Sequence, residues 1–126
     1  MGTLAAPNYE RVVFRRTNQH TGRRISVTPQ NSTNEHLSYG RIILNASSPS
    51  VSFENGDRET GLICLSGAAT VKVAEQSFAC VAYDSIYVPR GSKIEVATDS
   101  AVDFAEFSAD VEHSYPLQFK IGRAHV

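Results

Sequence analysis

The side chains that could do chemistry in this chain are few and scattered. Its four histidines, His20, His36, His113 and His125, fall in loops or at the end and show no metal-ligand spacing. Cys64 and Cys80 are the two cysteines. A thiolate nucleophile or redox pair needs a nearby base or cation to lower the thiol pKa, and neither cysteine has one beside it in sequence, so both read as small buried apolar residues. Asp57-Arg58-Glu59 is a charged cluster ahead of an apolar stretch. A guanidinium suits a planar anion, which makes Arg58 a candidate contact for a sugar carboxylate. A solvated turn with a surface ion pair accounts for the same residues. Glu106 alternates with Val102 and Phe104. If that face is interior, Glu106 is a buried carboxylate and an acid–base candidate. If Ala105 and Phe107 face the core, Glu106 sits at the rim. His113 and Tyr115 could bond a ligand or belong to an ordered exit segment. Arg15-Arg16 and Arg23-Arg24 suggest an anion site, yet basic residues alternating with Val12, Val13 and Phe14 also describe a solvated strand edge.

The elements that must position these residues are strands. Period-two alternation and turn signals predict them over 9–16, 24–28, 37–44, 51–54, 60–65, 69–73, 76–81, 85–88, 93–98 and 101–107. The breakers are Ser47-Ser48-Pro49, Asn55-Gly56-Asp57, Ser66-Gly67, Pro89-Arg90-Gly91 and Asp99-Ser100. About ten short strands with turns every 8–12 residues indicate an antiparallel sandwich or barrel. The expected interior includes Val13, Ile43, Leu62, Cys64, Val71, Val73, Ile86, Val88, Ile94, Val96 and Phe104. No stretch has a sustained helical period. Residues 1–8 are expected to be loose, 9–116 to form the barrel, and 117–126 to be a tail with little periodicity.

Composition narrows the function classes. The chain has 126 residues, 41% hydrophobic and 20% charged, which is one ordinary globular domain. Twelve basic residues against 13 acidic ones give a net charge of −1, so nothing general draws it to nucleic acid or an anionic membrane. No apolar run reaches the roughly 18 residues of a membrane span. The N-terminus lacks the basic head and apolar stretch of a secretory signal, and Ala6 stands where a myristoylation motif wants Ser or Thr. A cytoplasmic protein is the expectation.

Leu65-Ser66-Gly67 followed by a Val-rich strand, and Pro89-Arg90-Gly91 after Tyr87-Val88, resemble the turns of the cupin superfamily. Within it the chain is similar to the family of 5-deoxy-glucuronate isomerase and 5-keto-4-deoxyuronate isomerase. The shared features are Arg58-Glu59 before the apolar strand, the Leu-Ser-Gly turn, Tyr87 to Gly91, and the exit from Ser108-Ala109 to His113-Ser114-Tyr115-Pro116. Asp110 stands where the ketodeoxyuronate branch has Pro, so the exit matches in part. The resemblance covers about residues 34–116. It implies an all-β, single cupin barrel of the jelly-roll type, matching the N-terminal of two barrels. A divalent metal such as zinc would belong to the family's second barrel.

Metal-binding cupins use His-x-His, a Glu about five residues on, and a His after Pro-x-Gly. Anchored at Gly67 and Gly91, those positions fall on Phe53, Asn55, Thr60 and Ile94. None is a usual ligand, and Glu59, one residue from Thr60, would face the opposite way. The resemblance therefore implies no cofactor in this domain. It leaves open an isomerase half, a sugar-acid binding module using Arg58, Tyr87 or Glu106, and a structural barrel. Cupins commonly pair through N-terminal strands, so a homodimer is expected under each.

Overall fold

The computed structural model describes residues 16–33 and 36–122. Among them are nine strands and no helix: β1 (Gly22–Val27), β2 (Leu37–Asn45), β3 (Ser50–Glu54), β4 (Arg58–Val73), β5 (Gln76–Val81), β6 (Ser85–Val88), β7 (Lys93–Ala97), β8 (Ala101–Asp110) and β9 (Gln118–Lys120). Every pairing is antiparallel. A larger sheet runs β1-β2-β8-β4-β6-β9, and a smaller one runs β3-β7-β4-β5. The expected strand 9–16 and core residue Val13 lie outside the described residues, apart from Arg16.

β4 belongs to both sheets. The sequence reads as two strands separated by a Ser66-Gly67 turn, but the chain runs through as one bent strand. Its first part pairs with β6 and β8, and its last part with β5 and β7. A register shift between Cys64 and Ser66 and a positive φ of 80° at Gly67 make the bend. A side chain at Gly67 would overlap the Ala101 carbonyl oxygen, so the close approach of β8 demands glycine.

The core lies between the sheets. Leu62, Cys64, Val71, Val73, Ile86, Val88, Ile94, Val96 and Phe104 are buried there as their alternation predicts. β2 is the exception. Ile42 and Leu44 are buried and Ile43 is not, so the expected parity is reversed. Ile42-Ile43-Leu44 is a continuous apolar run, so either register hides apolar surface, and pairing with β8 chooses. The expected tail is also corrected. β9 pairs with β6, and the Phe119 ring meets Phe78 at 5.1 Å between centroids. Three residues are too short to show a period, and it is the packing that orders them.

Candidate functional site

The inner face of the larger sheet carries one cluster of opposite charges. β8 alternation places Val102, Phe104, Glu106 and Ser108 inward, and all four are buried. In β1, Arg23 lies opposite Ile42, so it too points inward. Its guanidinium donates from Nε and Nη2 to the two Glu106 oxygens, both at 2.7 Å. The same guanidinium lies over the Phe53 ring, 3.8 Å from its centroid. Phe53 comes from the smaller sheet, so Arg23 ties the sheets together. The Glu106 side chain is 0% exposed, while that of Arg23 is 27% exposed and reaches water.

A polar bracket centres on Asn55, two residues along the chain from Phe53. Asn55 Nδ2 donates to the Pro89 carbonyl at 2.9 Å and to Thr60 Oγ at 3.3 Å, and its Oδ1 accepts from the Ser92 amide at 2.8 Å. These bonds hold the 55–58 turn against the 89–92 turn. Phe53 and Ile94 face each other as cross-strand partners. The four positions of the metal pattern therefore hold an apolar pair and a neutral hydrogen-bonded pair. Neither imidazole nor carboxylate is among them, and this donor set does not fit a transition metal. Among the described residues no group of three or more His, Cys, Asp and Glu side chains could hold a metal ion.

The three sequence-derived binding candidates do not converge. Glu106 is interior. Arg58 begins β4 and donates to Ser38 Oγ at 3.1 Å, with its Nε 3.3 Å from the exposed Asp110 carboxylate. Tyr87 stands on the opposite, outer face of the sheet and donates to Glu59 at 2.6 Å. Burial, and then the adjacent Glu59 carboxylate, push the Tyr87 phenol up to about 12. Tyr87 thus cannot share a ligand with Glu106. Cys64 and Cys80 are buried, and burial followed by the charge of Asp84 pushes the Cys64 thiol up to about 11. That is the reverse of an activated nucleophile. His20 approaches the Arg41 carbonyl, His113 is exposed, and His125 lies outside the described residues.

Sequence reasoning missed Arg23, treating it as part of a solvated basic edge. The signal was present: Arg23 shares the parity of Ile25 in a strand whose Arg24 and Ser26 alternate with them.

Comparison with known proteins fits this architecture. A family model, the KduI/IolB family, matches residues 12–126. The chain belongs to the KduI/IolB family. An IolB-like protein from Salmonella typhimurium LT2 superposes with a TM-score of 0.69 at 22% identity, over 79% of this chain and 41% of that one. Protein Ylba from E. coli gives 0.61 at 21%, over 78% and 43%. A cupin protein from Bacteroides fragilis gives 0.61 at 14%, over 74% and 80%. At these identities the structures establish the fold, a cupin barrel, and the family match makes the chain a cupin domain related to sugar isomerases. The chain spans less than half the length of the Salmonella and E. coli proteins. No curated protein sequence matches it.

Proposed function

We propose that this domain is the metal-free, N-terminal-type barrel of a deoxy-uronate aldose–ketose isomerase system, cytoplasmic and homodimeric, without a complete active site of its own. The observation that carries this reading is the filling of the barrel interior. A guanidinium clamped by Glu106 over Phe53 supplies positive charge from the protein itself, and the pattern positions beneath it hold no metal donors. Aldose–ketose isomerisation moves a proton between adjacent carbons, and a divalent metal would polarise the carbonyl. Here the interior carboxylate of the cluster is held by both its oxygens on Arg23, which does not leave Glu106 free to act as a base. The decisive experiment is elemental analysis of protein purified without chelator or affinity tag. The expected result is far less than one zinc, iron, nickel or manganese per chain. One tightly held metal per chain would overturn the reading.

A second role, holding a sugar acid, draws support from Arg58. Its ion-pair partner Asp110 has a side chain 82% exposed, so a ligand carboxylate could replace it at little cost. Titration with a hexuronate would then show binding that is lost in Arg58→Ala.

A further inference from the structure

One end of the barrel interior is lined with hydroxyl groups. Ser38, Ser108 and Thr60 are successive cross-strand partners over β2, β8 and β4, and they share the inward parity of Glu106. All three are buried. The residues that alternate with them, Phe107 and Gly61, are partners on the outer face, where a Cβ at Gly61 would enter open space. Two residues from the row in one direction, Arg58 and Asp110 form the next inward pair. Two residues in the other direction, Glu106 is clamped by Arg23. The row therefore lies between a closed ion pair and an open one.

Hydrogen bonding leaves this row with donors to spare. Ser38 Oγ accepts from Arg58 Nη1 at 3.1 Å, and Thr60 Oγ accepts from Asn55 Nδ2 at 3.3 Å. An oxygen that accepts turns its own proton elsewhere, and neither proton finds an acceptor among the described residues. Ser108 is 5% exposed, and its hydroxyl has no hydrogen-bond partner among the described residues. It is not sealed in, because the one fully enclosed side-chain polar atom without a partner there belongs to His20. A buried hydroxyl is costly unless something outside the chain bonds it. Arg58 adds charge to these donors. Among the described residues four arginines meet a carboxylate, and Arg58 has the longest contact.

We propose that Arg58, Ser38, Ser108 and Thr60 form a binding site for the carboxylate of a small organic acid, with Asp110 as the internal carboxylate that the ligand displaces. The inference deepens the sugar-acid role of Arg58 and rests on it. The ligand class follows from the donors. A guanidinium and three hydroxyl protons call for a group that only accepts, and an ionised carboxylate accepts at about four lone-pair positions. A neutral sugar needs acceptors for its own hydroxyls, and the Ser38 and Thr60 oxygens are already accepting. Charge selects in the same direction. Arg23 and Glu106 cancel, so Arg58 against Asp110 sets the sign at this end of the barrel. Asp110 already stands in water, and turning it away from Arg58 costs little. A phosphate dianion would bring a second charge that no further guanidinium answers, because Arg23, Arg41 and Arg90 are each paired.

The test is isothermal titration calorimetry of the full chain with sodium galacturonate, and with galactose and inorganic phosphate as competing probes. Galacturonate is expected to bind, phosphate to bind more weakly, and galactose to give no measurable heat. Asp110→Asn removes the internal competitor and should tighten galacturonate about 3–5-fold. Ser108→Ala should weaken it about 5–10-fold, and Arg58→Ala on the order of 100-fold. Glu112→Gln, at an exposed carboxylate two residues beyond Asp110, should leave it unchanged. Asp110→Asn is the decisive variant, because a damaged fold does not tighten binding. A parent that binds no galacturonate would overturn the sugar-acid role and this inference together. Binding that Asp110→Asn fails to tighten, or that Ser108→Ala fails to weaken, would overturn this site and leave the sugar-acid role standing. Galactose or phosphate binding as tightly as galacturonate would overturn the assignment to carboxylates.

Discussion

Two arginine–carboxylate pairs anchor β8, three residues apart, and they sit on opposite faces of one sheet. Arg23 and Glu106 meet on the inner face, over Phe53. Arg41 and Asp103 meet on the outer face as diagonal neighbours on the adjacent strands β2 and β8. Both are bidentate. The hydrogen bond to Asp103 is the main reason the Arg41 guanidinium is held above its ordinary range. The carboxylates differ in solvent access. Glu106 is 0% exposed and Asp103 is 23% exposed. The same chemical pair therefore has two meanings. The outer one is a local clamp whose members can each return to water. The inner one joins the two sheets, and its carboxylate, removed from water, is neutralised by the arginine.

The largest effect expected from breaking that comparison is in Arg23→Ala. It strands a buried carboxylate and should cost about 3–5 kcal/mol in urea unfolding. Glu106→Gln should cost less, because Arg23 can extend toward water. Replacing both by methionine should recover most of the loss, since the interior then holds no unpaired charge. A double variant as unstable as Arg23→Ala would show that the pair contributes more than mutual neutralisation.

An intermediate effect concerns Cys64, opposite Phe104 on the inner face. The folded thiol keeps its proton until about pH 11, whereas an unfolded thiol loses it near 9. Between those values the unfolded state binds fewer protons, so stability is full below pH 9 and falls as pH rises to 11. The loss should be roughly 2–3 kcal/mol and absent from Cys64→Ala, read from urea midpoints across that range. The same thiol should resist alkylating reagents at pH 8 in the folded protein. Rapid labelling would contradict its burial.

The smallest effect is expected in Arg41→Ala, about 1 kcal/mol, because Asp103 reaches solvent once its partner is gone. A cost equal to that of Arg23→Ala would erase the distinction between the two faces.

Much of the fold was legible. Strands that alternate cleanly, such as Lys93–Ala97 with Ile94 and Val96 inward, declare their buried side because period two allows only one apolar face. The family resemblance carried by Leu65-Ser66-Gly67 and Pro89-Arg90-Gly91 agrees with the family match over residues 12–126. β2 was not legible, because Ile42-Ile43-Leu44 offers apolar side chains to both faces. The site was legible in part. Glu106 could be identified as a candidate with two readings, but Arg23 is 83 residues away and its role depends on contact across β1, β2 and β8.

The sequence by itself determined the class of the molecule. Alternation, turn residues and the lack of any helical period specify an all-β barrel, because these are local properties of neighbouring residues. Tertiary structure alone decided which arginine meets which carboxylate, that Tyr87 and Glu106 face opposite ways, and that Gly61 opens beside Phe107. Those facts follow from register between strands distant in the chain, and a slip of one residue would reverse each of them.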